Sequence, residues 1–107
     1  MASDFEEVYA ELLSSAEALS ELLRSYGRQH WADWLAQDRE HIQRGDAYGV
    51  DHLLRAYGGM GSLNDVLIHP VNGDDIALKD VDAVNARIRE LRSRVYDAAR
   101  RIQRALA

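Results

Sequence analysis

The stretch Asp80–Ala105, DVDAVNARIRELRSRVYDAARRIQRA, decides the fold. Its apolar residues return every three or four positions, at Val81, Val84, Ile88, Leu91, Val95, Ala98, Ile102 and Ala105. That spacing is the heptad seam of one long helix, and a single apolar stripe of this length needs a partner to bury it. Asp80 and Asp82 stand where the positive end of a helix favours carboxylates. The beginning of the chain carries the matching seam. From about Asp4 to Tyr26, the residues Phe5, Val8, Leu12, Ser15, Leu19, Leu22 and Tyr26 repeat the pattern, Tyr9, Ala16 and Leu23 widen it, and Gly27 stops it. With Phe5 and Val81 both at heptad position a, Asp4 and Glu11 fall at g on the first helix, and Arg87, Arg94 and Arg101 fall at g on the last. Opposite signs on the flanks predict an antiparallel pairing, with Asp4 beside Arg101 and Glu11 beside Arg94. Exposed pairs of this kind add only about 0–1 kcal/mol each, so they choose the orientation rather than hold it. The same pairing predicts that Ser15 and Ala98, the small seam residues, let the two backbones approach.

Between these helices lies a shorter section. A second helix is predicted from about Gln29 to Arg44, with Trp31, Trp34, Leu35 and Ile42 on one side and Gly45 at its end. Asp38 lies in that apolar stripe, so a buried carboxylate there must be paired, and the surplus arginines of the last helix are the expected partners. A third, short helix follows, capped by Asp46, with Val50, Leu53, Leu54 and Tyr57 on its face and Gly58-Gly59 ending it. From Gly58 to Asp75 no period is visible. Ser62–Asp65 fits a capped turn, and Val66–His69 fits either a helical or an extended segment before Pro70. The expected architecture is all-α: one domain over residues 1–107, a four-helix bundle of two long heptad-patterned outer helices with a Gly-rich irregular segment before the last helix.

Composition narrows the function classes. The chain has 107 residues, 18 acidic and 13 basic, a net charge of −5 and no cysteine. Without cysteine there is no disulfide scaffold, no thiolate metal site and no cysteine nucleophile. No apolar run reaches the ~18 residues of a membrane span, and the N-terminal residues do not read as a leader, so the expected location is the cytoplasm. Seven arginines lie between Arg87 and Arg104, but they circle the helix and the chain is acidic overall, which argues against nucleic acid. Residues 1–40 carry nine acids against three bases, a surface suited to a basic protein partner.

The residues with side chains suited to chemistry gather around the middle. Gly58-Gly59-Met60-Gly61-Ser62 is a glycine loop able to take left-handed conformations, but it lacks the Gly-Lys-Ser/Thr ending of a phosphate-binding loop and reads as a tight connector. His30, His41, His52 and His69 lack the spacing of a metal site and read as capping and surface residues, so neither a metal nor a cofactor is expected. No Gly-x-Ser-x-Gly motif is present, and no catalytic residues are assigned. Trp31, Trp34, Tyr48 and Tyr57 concentrate aromatic area beside the loop, in either a core corner or a binding patch.

The stretch from His30-Trp31 through Gly58-Gly59-Met60-Gly61-Ser62-Leu63-Asn64-Asp65 to His69-Pro70 and Asn72-Gly73 resembles a family of small bacterial proteins with a Gly-Gly-Met-Gly-Ser-x-Asn-Asp loop and no assigned activity. The resemblance implies a bacterial source and points to Asn64, Asp65, His69 and Asn72. By analogy, small single-domain proteins of this type look like immunity proteins that neutralise a toxin. The expected function is a non-enzymatic protein-binding module of the immunity or antitoxin kind, facing a basic partner such as a toxin. Its expected surface comprises Trp31, Tyr57, Gly58, Gly59, Met60, Gly61, Ser62, Asn64, Asp65, His69 and Asn72. Two alternatives stand beside it: a small ligand-binding protein or hydrolase-like enzyme using Asp65 or His69 at the Gly58–Asn72 loop, and a structural homodimer formed through leftover seam surface.

Overall fold

A computed structural model of the protein describes residues 4–107. Four α-helices follow one another: α1 (Asp4–Ser25), α2 (Gln29–Gln43), α3 (Tyr48–Leu54) and α4 (Val81–Leu106). Between α3 and α4 the chain makes single 3-10 turns at Arg55–Tyr57, Leu63–Asp65, Pro70–Asn72 and Leu78–Asp80, and no strand forms among the described residues. None of these helices is long and apolar enough to cross a membrane. The fold is therefore the all-α bundle that the two seams require.

Local chemistry ends the helices where the sequence places breakers. At the end of α1 the Arg28 amide donates to the Leu23 carbonyl and the Gly27 amide to that of Arg24, with Gly27 left-handed. Asp46 to His41 and Gly45 to Ile42 repeat the arrangement at the end of α2. This double closure satisfies carbonyls that would otherwise be orphaned and needs a positive φ, which glycine takes without strain. Asp46 Oδ1 then accepts from the Tyr48 amide at 3.0 Å and opens α3, as its position suggests. Asp80 stands at the N-terminus of α4, where a carboxylate is expected, but it also ends the 3-10 turn that leads into the helix and its side chain makes no capping hydrogen bond. Val66–His69 is extended, with His69 at φ −160° and ψ 145°.

The helices α1 and α4 pack side by side and antiparallel. Arg94 Nε lies 3.9 Å from Glu11 Oε1, and Asp4 and Arg101 line the same groove between the two helices. In this register Ala98 lies by Glu7 and Val8, not by Ser15. Ser15 instead turns its hydroxyl back to the Glu11 carbonyl at 2.6 Å. The two small residues fall on different levels of the bundle because antiparallel chains advance in opposite senses from the Glu11–Arg94 contact.

Leu12, Leu19 and Leu23 of α1, Leu35 of α2, Leu53 of α3 and Ile88 and Val95 of α4 form one continuous core. The irregular segment contributes to it directly. Leu63 and Ile68 are fully buried, each adding about 1.5–3 kcal/mol of apolar burial. Two apolar pegs thus fasten a segment that has no regular secondary structure.

Candidate functional site

The peg at Ile68 requires a solution for its backbone, because an extended residue inside a helical core has no strand beside it. Asn85 of α4 supplies one. Its Oδ1 accepts from the Ile68 amide at 2.9 Å, and its Nδ2 donates to the Ile68 carbonyl at 2.8 Å and to the Val81 carbonyl at 2.8 Å. A buried side-chain amide here does the work of a neighbouring strand. A second brace lies just outside the peg. Arg28, in the α1–α2 connection, forms a two-pronged pair with Asp74, Nε to Oδ1 at 3.1 Å and Nη2 to Oδ2 at 2.7 Å, and Nη2 also donates to the Leu67 carbonyl. Asp74 Oδ2 accepts further from the His69 amide at 3.0 Å. The Arg28 hydrogen bonds, with help from the His69 amide, hold the Asp74 carboxyl below the usual carboxylate range.

The loop residues singled out by sequence close the same segment on itself. Ser62 is buried and its hydroxyl accepts from the Asn64 amide. Asn64 Nδ2 donates to the Tyr57 carbonyl, Asp65 Oδ2 accepts from the Gly61 amide at 2.6 Å, and Asn72 Nδ2 donates to the Leu67 carbonyl. His69 Nδ1 accepts from the Val71 amide at 3.0 Å, capping the turn at Pro70. Gly59 and Gly61 are left-handed, whereas Gly58 is extended. Tyr57 is half-buried and donates its hydroxyl to the Arg92 carbonyl at 2.8 Å. Met60 is wholly exposed. Asp65 and His69 are each turned to their own stretch of backbone and make no hydrogen bond to one another.

Trp31 belongs to another cluster, on the face shared by α2 and α3. Its ring meets His30 edge-on at 4.5 Å and Trp34 at 5.4 Å, and Trp34 stacks flat on His52 at 4.2 Å and 16°. Beneath this stack lies Asp38, 3% exposed, both of whose oxygens are 2.8 Å from His52 Nδ1. The expected arginines of α4 are not its partners. The reason is Gly49: a Cβ there would stand 3.0 Å from the Asp38 carbonyl, from His41 Cβ and from Ile42 Cγ1. Its bare backbone lets α3 lie close against α2 and brings His52, one turn further on, over the carboxylate. Burial raises the Asp38 carboxyl above its ordinary value, and the imidazole opposes that rise. Among the described residues the His52 imidazole makes no hydrogen bond beyond Asp38, and no group of three or more His, Asp or Glu side chains suited to a metal ion occurs.

The brace residues Arg28, Asp74 and Asn85 carry no motif. Arg28 and Asp74 are 46 positions apart, and only the position of Asn85 in the first turns of an apolar seam hints at a polar contact inside.

The family described as a domain of unknown function (DUF6966) matches residues 24–77, half of the chain. The chain belongs to this family. No curated protein and no solved structure matches it. The DUF6966 stretch begins at the end of α1 and runs through α2, α3 and the irregular segment. It therefore contains the Arg28–Asp74 brace, the Asp38–His52 pair and the glycine loop whole. Most of α1 and all of α4 lie outside it and supply the wall against which the DUF6966 stretch folds.

Proposed function

We propose that the protein is a non-enzymatic binding module, of the immunity or antitoxin kind in a bacterial cytoplasm, that docks a basic protein partner through the segment Gly58–Asp80. The observation that carries this reading is a division of labour within the segment. Its polar side chains Ser62, Asn64, Asp65, His69, Asn72 and Asp74 are spent on holding the backbone. Its apolar side chains Met60 (100% exposed), Val71 (80%), Leu78 (72%) and Leu67 (46%) are left in water. Irregular backbone fixed in advance, with apolar groups presented outward, lowers the ordering cost of association and supplies apolar area at the contact. The segment carries four aspartates against one lysine, so a basic surface complements it.

The test is affinity capture from a lysate of the encoding organism, with the wild-type chain and a Met60→Asp, Val71→Asp double variant as baits. Circular dichroism confirms that the variant retains its helices. The expected result is one basic protein held by the wild type, released by salt and lost in the double variant. Retention of the same protein by both baits, or no specific retention by either, refutes the assignment.

A further inference from the structure

A cavity of about 340 Å³ opens where α4 passes the glycine loop, lined by Tyr57, Asn64, Arg92, Ser93, Tyr96 and Asp97. This is the lower end of the size range of small-molecule sites. Four of these residues come from two successive turns of α4. At about 100° and 1.5 Å per residue, Arg92 and Asp97 stand about 140° apart around the helix and about 7.5 Å apart along it. They occupy opposite edges of the helical face that floors the cavity, with Ser93 and Tyr96 between them.

Neither charge is in an ion pair among the described residues. Arg92 is in no ion pair among the described residues, and its guanidinium makes one long hydrogen bond, Nη1 to the Leu63 carbonyl at 3.3 Å. The Asp97 carboxylate makes neither an ion pair nor a hydrogen bond among the described residues, although it also borders the α1–α4 groove with Arg94 and Arg101. Of the other charges of the same helix, Arg87 and Arg94 pair with Glu90, and Arg94 also approaches Glu11, while Arg89, Arg101 and Arg104 are, like Arg92, in no ion pair among the described residues. Asp65, whose charge is also felt at Arg92, is already engaged by the Gly61 amide. Arg92 is half-buried, and desolvation lowers its pKa from the ordinary arginine value, so its charge is carried at a cost that a bound anion would offset. The hydroxyls of Ser93 and Tyr96 have no hydrogen-bond partner among the described residues. The rings of Tyr57 and Tyr96 lie 5.1 Å apart at 56° and give the cavity an aromatic wall.

We propose that this cavity binds a small zwitterion of the amino-acid class. Its carboxylate sits on the Arg92 guanidinium and the Ser93 hydroxyl, its ammonium on Asp97, and its apolar side group against Tyr57 and Tyr96. A guanidinium fork matches a carboxylate with two parallel hydrogen bonds. A phosphate dianion fits worse, because Asp97 and Asp65 both repel it. This site is independent of the docking reading and stands if that reading fails.

The test is a titration of the ¹⁵N-labelled full chain with L-phenylalanine, N-acetyl-L-phenylalanine and L-phenylalaninamide, following the amide resonances of Ser93, Tyr96 and Asn64. The free amino acid is expected to bind about tenfold more tightly than either blocked derivative, one charged contact being lost in each case. Asp97→Asn, on an exposed position whose side chain makes no hydrogen bond or ion pair among the described residues, keeps the fold. In it the advantage over the N-acetyl compound disappears while the advantage over the amide remains. Arg92→Gln gives the reverse result. Equal responses to all three compounds, or no saturable response with L-phenylalanine up to about 10 mM, overturn the proposal.

Discussion

Replacing Asn85 tests whether one side-chain amide substitutes for a strand in this core. The residue is 5% exposed and bonds both the amide and the carbonyl of Ile68, itself fully buried. Asn85→Ala leaves those two groups without a partner, while the Val81 carbonyl retains its place in the helical ladder. Each orphaned group costs about 1–3 kcal/mol, so the substitution should cost about 2–6 kcal/mol, a large share of the stability of a domain of this size. Asn85→Asp separates the two halves of the bond. The remaining oxygen still accepts from the Ile68 amide, but the new carboxylate faces the Ile68 carbonyl with no proton to donate. Burial and that facing carbonyl raise the folded-state pKa of the introduced carboxyl above its unfolded value. Its contribution to stability is therefore present below about pH 4, and it is lost as pH rises through the folded pKa. Urea unfolding followed by circular dichroism measures both effects as a change of midpoint at constant slope. A cost of less than about 1 kcal/mol for the alanine variant, or an aspartate variant whose deficit from wild type is the same at pH 4 and pH 7, would refute the strand-substitute argument. Hydrogen exchange gives a local check, since the Ile68 amide should lose its protection in the alanine variant before the amides of α1 do.

Two further outcomes follow from the same structure. Because Arg28 and the His69 amide depress the Asp74 carboxyl, its contribution is fully present above the unfolded value near pH 4 and is lost as pH falls toward the lower folded value; Asp74→Asn should flatten that part of the stability curve, and an unchanged acid limb would remove Asp74 from the brace. Gly49→Ala gains up to about 1 kcal/mol in helix propensity but drives a Cβ to 3.0 Å from three atoms of α2, two of them backbone or Cβ atoms that cannot step aside; a net loss of about 1–2 kcal/mol is expected in thermal melts, and a neutral or stabilised variant would show that α3 is free to move off α2.

The outer helices were legible because their information is local. The threes and fours of Phe5 to Tyr26 and of Val81 to Ala105 define two stripes, the charges at Glu11 and Arg94 orient them, and Gly27 and Gly45 end helices through backbone geometry that depends on a few neighbouring residues. The candidate loop was legible only as composition. Asn64, Asp65, His69 and Asn72 stand out as polar residues among glycines, and nothing in their spacing says that each bonds its own backbone.

The sequence by itself determined that Asp38, set among Leu35 and Ile42, must have a partner once buried, since an unpaired carboxylate is too costly there. Only the tertiary structure decided that the partner is His52. The choice turns on how closely two helices approach, which the missing side chain of Gly49 permits and which no periodicity encodes. The same holds for Arg28 with Asp74, and for Asn85 with Ile68. Hydrophobic spacing tells a residue which side of its own helix is inside, whereas a polar contact between distant residues exists only after the core has brought their backbones to hydrogen-bond distance.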